Sequence, residues 1–144
     1  MDIRPARIGD AAEIARLSEE LGYPAAAKDM AERLAALLQR PEHGVVVAES
    51  CGNLLGWAAV EARTLLVTGR KAELMGLVVD SKARRRGVGL ALVRAAEEWA
   101  REQGIDLMTV RSNAVRTESH PFYERLGYTH TKSQHVYLKR FDDA

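Results

Sequence analysis

One junction constrains this 144-residue chain more than any other. The run Glu73-Leu74-Met75-Gly76-Leu77-Val78-Val79 is almost wholly apolar, the make-up of a strand covered on both faces. It passes through Asp80-Ser81-Lys82-Ala83 into Arg84-Arg85-Arg86-Gly87-Val88-Gly89. A helical repeat then begins at once. Val88, Ala91/Leu92, Ala95/Ala96 and Trp99 recur at i, i+3/i+4 spacing, with Glu97, Glu98, Arg101 and Glu102 on the opposite side and Gly104 placed to stop the helix. A buried strand feeding an amphipathic helix requires a sheet with that helix packed on it. The same junction makes an anion site. The first N–H groups of a helix lack partners and its dipole is positive there, while Gly87 and Gly89 keep Cβ atoms out of the way. Lys82, Arg84, Arg85 and Arg86 add four positive charges, opposed nearby only by Asp80.

The rest of the chain supplies the other elements. Residues 2–7 read as an opening strand, and Asp10 as the N-cap of a helix with Ile14 and Leu17 on its apolar side and Glu13 in the capping-box position. Gly22 ends it. A second helix is expected from Ala27 to Gln39, before Pro41. Val45 to Ala48 and Leu54 to Ala62 read as strands around a turn at Ser50–Asn53. Asp106 to Arg111 reads as a further strand, Pro121 to Leu126 as a short helix stopped by Gly127, and Gln134 to Lys139 as a last strand. Helices and strands alternate without repeats or linkers, which predicts one α/β (α+β) domain over residues 1–144.

Composition narrows the function. A chain 47% hydrophobic and 28% charged can bury a real core, and no apolar run approaches the ~20 residues of a membrane span. The opening MDIRPARIGD lacks a secretory apolar region, so a cytoplasmic protein away from membranes is expected. A net charge of +1 supplies no global attraction to nucleic acid, and no aromatic platforms interleave with Arg84–Arg86. His43, His120, His130 and His135 lack the spacing of a metal site, and the single cysteine, Cys51, sits in a turn with no paired histidine pattern. No metal is expected.

Three phosphate-binding patterns compete for the junction. The dinucleotide pattern needs a small residue where Leu92 stands, and the Walker pattern needs Lys where Leu90 follows Gly89. What remains, Arg84-x-x-Gly87-x-Gly89 after a strand and at a helix start, resembles the acyl-CoA pyrophosphate signature of the GNAT superfamily of N-acetyltransferases. The resemblance implies a central mixed, mostly antiparallel sheet of about 6–7 strands flanked by about four helices. It implies that the backbone of Arg85, Arg86, Gly87, Val88, Gly89 and Leu90, with Arg84, cradles the pyrophosphate of acetyl-CoA. Leu77, Val78 and Val79 would then line the pantetheine arm with their main chain.

A second segment carries the same resemblance. Phe122-Tyr123-Glu124-Arg125-Leu126-Gly127-Tyr128 is similar to the family's closing helix-turn, in which a tyrosine faces the CoA sulfur. Tyr123 is thereby a candidate proton donor to the departing thiolate, and Asn113 resembles the polar residue that bonds the cofactor arm. Glu73, eleven residues before Arg84, stands where some family members place a catalytic glutamate. Alternation along the strand would put Glu73, Met75 and Leu77 on one face, where burial among apolar neighbours would raise the carboxyl's pKa toward that of a base. The expected activity is acetyl transfer from acetyl-CoA to a primary amine. The alternative is a non-catalytic acyl-CoA sensor. A homodimer through the C-terminal strands also suits the resemblance.

Overall fold

The computed structural model describes residues 1–20, 22–111 and 119–142. Asn113 lies outside them. The chain divides into two units, residues 1–111 and 112–144.

The first unit is built on one mixed sheet. Its strands are β1 (Asp2–Pro5), β2 (His43–Ser50), β3 (Asn53–Leu65), β4 (Gly69–Val79) and β5 (Met108–Val110), in spatial order β1-β2-β3-β4-β5. The first four pair antiparallel, and β5 joins β4 in parallel. Helices α1 (Ala11–Glu20) and α2 (Ala27–Leu38) cover one face. There Ile14, Leu17 and Leu34 pack with Val45, Val47, Val78 and Trp57. Helix α3 (Val88–Glu102) covers the other face, buries Val88, Leu92, Val93 and Ala96, and lies so close that a Cβ on Gly56 would meet Leu92 and Val88. Gly104 closes α3, with its N–H on the Arg101 carbonyl and that of Ile105 on Ala100.

The second unit's helix is α4 (Ser119–Arg125). The Gly127 N–H bonds the Glu124 carbonyl and the Tyr128 N–H that of Tyr123, ending the helix where the sequence places its stop.

Three expectations need correction. The described residues hold five strands rather than 6–7, and Gln134–Lys139 is not a strand. Val136, Tyr137 and Leu138 stand 87%, 90% and 82% exposed. An alternating segment becomes a strand only beside a ladder partner, and this unit contains no other strand among its described residues. Asp10 also differs from its expected cap role: it accepts the Arg7 N–H at 2.9 Å and a two-pronged pair from Arg4 at 2.8 and 2.9 Å. No helix among the described residues is long and apolar enough to cross a membrane.

Candidate active site

Strand β4 organises the first unit's site. On one edge it pairs with β3 from Gly69 to Val79, and on the other β5 meets it only over Ala72–Leu74. Past Leu74 that second edge is left unpaired by β5; there the main-chain groups of Leu77 and Val79 alternate away from β3, whereas Val78 turns its carbonyl toward β3 beside Gly56. Val78 points into the core beneath α1, while Leu77 and Val79 pair with Ala58 and Gly56 on the α3 face.

The loop beyond Val79 is shaped by its own backbone and by α1. Asp80 accepts the Lys82 N–H at 2.9 Å and faces Arg16 Nη1 at 3.3 Å. The Lys82 amide, backed by Arg16, holds the Asp80 carboxyl below its usual range despite burial. Arg16 also reaches Glu13 at 2.6 Å and the Leu54 carbonyl at 3.3 Å, and the Ser81 N–H donates to Glu20 at 3.3 Å. Arg85 (φ 66°) and Gly87 (φ 78°) both take the left-handed conformation, and no side chain caps α3, whose N-cap is Gly87. Alternation of this kind points successive N–H groups into one concavity, a fit for a diphosphate. Arg84, Arg85 and Arg86 are exposed around it.

Glu73 lies toward the opposite end of β4, six residues and roughly 20 Å from Val79 at ~3.3 Å per residue. Its surroundings differ from the expectation in two ways. Between Ala59↔Gly76 and Val60↔Leu74 the register shifts, leaving Met75 as an extra residue. This bulge reverses the alternation, so Glu73 and Leu77 face opposite sides of the sheet. Glu73 is also only 2% exposed, yet its neighbours are polar. Its carboxylate accepts from Arg63 Nη1 at 3.1 Å, Arg111 Nε at 3.1 Å and Thr109 Oγ1 at 3.2 Å, with Lys71 Nζ at 3.6 Å. Burial pushes the carboxyl up, but the Arg111 bond and charge, with Arg63 and Thr109, outweigh it and hold the pKa below its ordinary value. That is the reverse of the expected upward shift.

Two residues beside the bulge were not singled out by sequence. Trp57 lies against Gly76, where an added Cβ would come within 2.9 Å of the indole. The missing side chain lets the ring rest on the strand, and an aromatic opposite a strand glycine was the available signal. The partners of Glu73 were equally hidden, because strand register joins them.

In the second unit Tyr123 is half-buried on α4, edge-on to Phe122 and Tyr128 with ring centroids at 5.1 and 6.0 Å. Burial raises its phenol pKa, so the hydroxyl keeps its proton throughout the neutral range. Among the described residues no group of three or more His, Cys, Asp or Glu is placed to hold a metal ion.

Strand β4, the left-handed positions at Arg85 and Gly87 and the uncapped start of α3 thus follow one another along the chain. A model of the acetyltransferase (GNAT) family matches residues 11–128, and the chain belongs to that family. It is 36% identical over 98 residues to aminoglycoside N(6′)-acetyltransferase type 1 of Klebsiella aerogenes, covering 64% of this chain and 64% of that protein. It is 29% identical over 110 residues to the N-acetylaspartate synthetase of Homo sapiens, covering 76% of this chain and 35% of that protein. The chain thus spans less than two thirds of the length of either relative. An aminoglycoside 6′-N-acetyltransferase of Acinetobacter haemolyticus, solved without ligand, shares the fold with a TM-score of 0.85 at 23% identity over 99% of this chain and 100% of that one.

Proposed function

We propose that residues 1–144 form a single acetyltransferase domain that moves the acetyl group of acetyl-CoA directly to a primary amine. The observation that carries this reading is the loop. Left-handed Arg85 and Gly87, an uncapped α3 and three exposed arginines suit the cofactor's pyrophosphate. Arg84, Arg85, Arg86, Gly87, Val88, Gly89 and Leu90 are assigned to it, Leu77, Val78 and Val79 to the pantetheine arm, and Asn113 to a polar contact with that arm.

The acceptor's neutral nitrogen attacks the thioester carbonyl, the C–S bond breaks, and the departing thiolate takes the Tyr123 hydroxyl proton. A phenol held protonated by burial is suited to that step. The proton lost by the acceptor leaves to solvent water, with Glu73 acting as the fixed negative charge beside that path, since a carboxylate stabilised by Arg111 and Arg63 is a weak base. Comparison with the aminoglycoside and N-acetylaspartate enzymes favours catalysis over a sensing role. The test is CoA release over a panel of amines with acetyl-CoA: turnover of at least one supports transfer, and binding of acetyl-CoA with no turnover on any refutes it.

A further inference from the structure

Glu73 is outnumbered. Arg63, Lys71 and Arg111 carry three positive charges around its single carboxylate. Glu61, its register partner across β3, brings the group to a net charge of +1. Glu73 engages one nitrogen of each guanidinium, Nη1 of Arg63 and Nε of Arg111, which leaves the remaining donors of each five-donor fork for another acceptor. Arg63 and Arg111 are also open to a ligand, with side chains 31% and 60% exposed, whereas Glu73 is shut in at 2%. The cluster thus presents cationic donors outward and hides its anion.

Its place in the fold gives this arrangement a use. Glu73 and Thr109 pair at the penultimate position before β5 leaves β4, two residues before the Met75 bulge and six before Val79, where the arginine–glycine loop begins. We propose that Arg63 and Arg111, held in place by Glu73, bind an anionic group of the acceptor, so that the acceptor is a small amine bearing a carboxylate, of the amino-acid class, rather than a polycation. The proposal rests on the acetyltransferase reading and names its acceptor.

Electrostatics favours such a substrate twice. An arginine fork matches a carboxylate with two parallel hydrogen bonds, which supplies binding and orientation. Nearby positive charge also lowers the pKa of the acceptor's ammonium, so more of it carries the free lone pair that attacks. A polycationic acceptor gains no such anchor and meets like charge.

The test pairs each amino acid with its carboxamide, which keeps the amine and removes the anion. Ethanolamine with its phosphate ester, and an aminoglycoside, complete the series. The expected result is kcat/KM at least tenfold higher for acids than amides. Arg111→Gln and Arg63→Gln should erase that preference by raising KM for the acids to that for the amides, and Arg63→Lys should restore part of it. A preference for the phosphate ester over the amino acids overturns the carboxylate assignment. Amides equal to acids, or the aminoglycoside as best substrate, overturn the anion site itself. Calorimetry with an N-acetylated amino acid separates the two levels. Binding by the wild type and not by Arg111→Gln, without turnover of any amine, refutes acetyl transfer but keeps the anion site; turnover without such binding does the reverse.

Discussion

Replacing Glu73 by Gln keeps the side chain's size and removes the charge at the centre of the cluster. Three cations at 3.1–3.6 Å then face a neutral amide, and the amide's NH2 cannot accept from a guanidinium. Breaking a fully buried ion pair from one side costs about 3–5 kcal/mol. Here Arg63 and Arg111 are 31% and 60% exposed and regain water once released, which brings the expected loss to about 2 kcal/mol. For a domain of this length that is a Tm lower by roughly 6–8 °C. The loss has a definite pH dependence. The folded pKa of Glu73 lies below the unfolded carboxyl's 4.5, so its stabilisation is complete above that value and fades as pH falls through the folded pKa. Urea unfolding of both proteins at pH 7 and in steps below 4.5 measures this. The two curves should part at neutral pH and converge in acid. Equal stability at pH 7, or a gap that does not shrink in acid, refutes the account of Glu73 as an ionised hub.

Three further outcomes are expected. Gly87→Glu should abolish acetyl-CoA binding by calorimetry, whereas Gly87→Ala, with no atom within 4 Å of its Cβ, should cost only the ~1–2 kcal/mol of a left-handed non-glycine residue and retain part of the affinity. Gly76→Val should lower stability by about 1–3 kcal/mol in urea unfolding, because its Cβ would press within 2.9 Å of the rigid Trp57 ring. Tyr123→Phe should keep acetyl-CoA affinity but lower kcat by ~10²–10⁴-fold. In the wild type kcat should fall as pH rises past the raised phenol pKa, and pre-steady-state kinetics showing rate-limiting chemistry with unchanged kcat in the variant would remove Tyr123 from the mechanism.

The features legible in the sequence are those written locally. The i, i+3/i+4 repeat from Val88 to Trp99 marks α3, and the arginine–glycine loop shows itself because every group it uses lies within a few residues. Positions joined by register are different. A single extra residue at Met75 turns Leu77 to the other face, and no periodicity count reveals it. Arg63 and Arg111 reach Glu73 from 10 and 38 residues away, so the sequence offers the carboxylate but not its partners, and the sign of its pKa shift reverses. Gln134–Lys139 fails for a related reason: alternation records what a strand would bury without supplying its neighbour.

Arg16 gathers Glu13, the Leu54 carbonyl and Asp80 on one planar guanidinium, so three stretches of chain meet at a single side chain. A lysine there has charge but no fork, and would hold one of these groups at a time. The first helix is therefore tied to the loop that follows β4. A shift of α1 would pull on Asp80 and Ser81 together and so be felt in the loop after Val79. α2 makes none of these bonds to the loop and is held instead by apolar packing, with Leu34 buried beside Ile14, Leu17 and Val47.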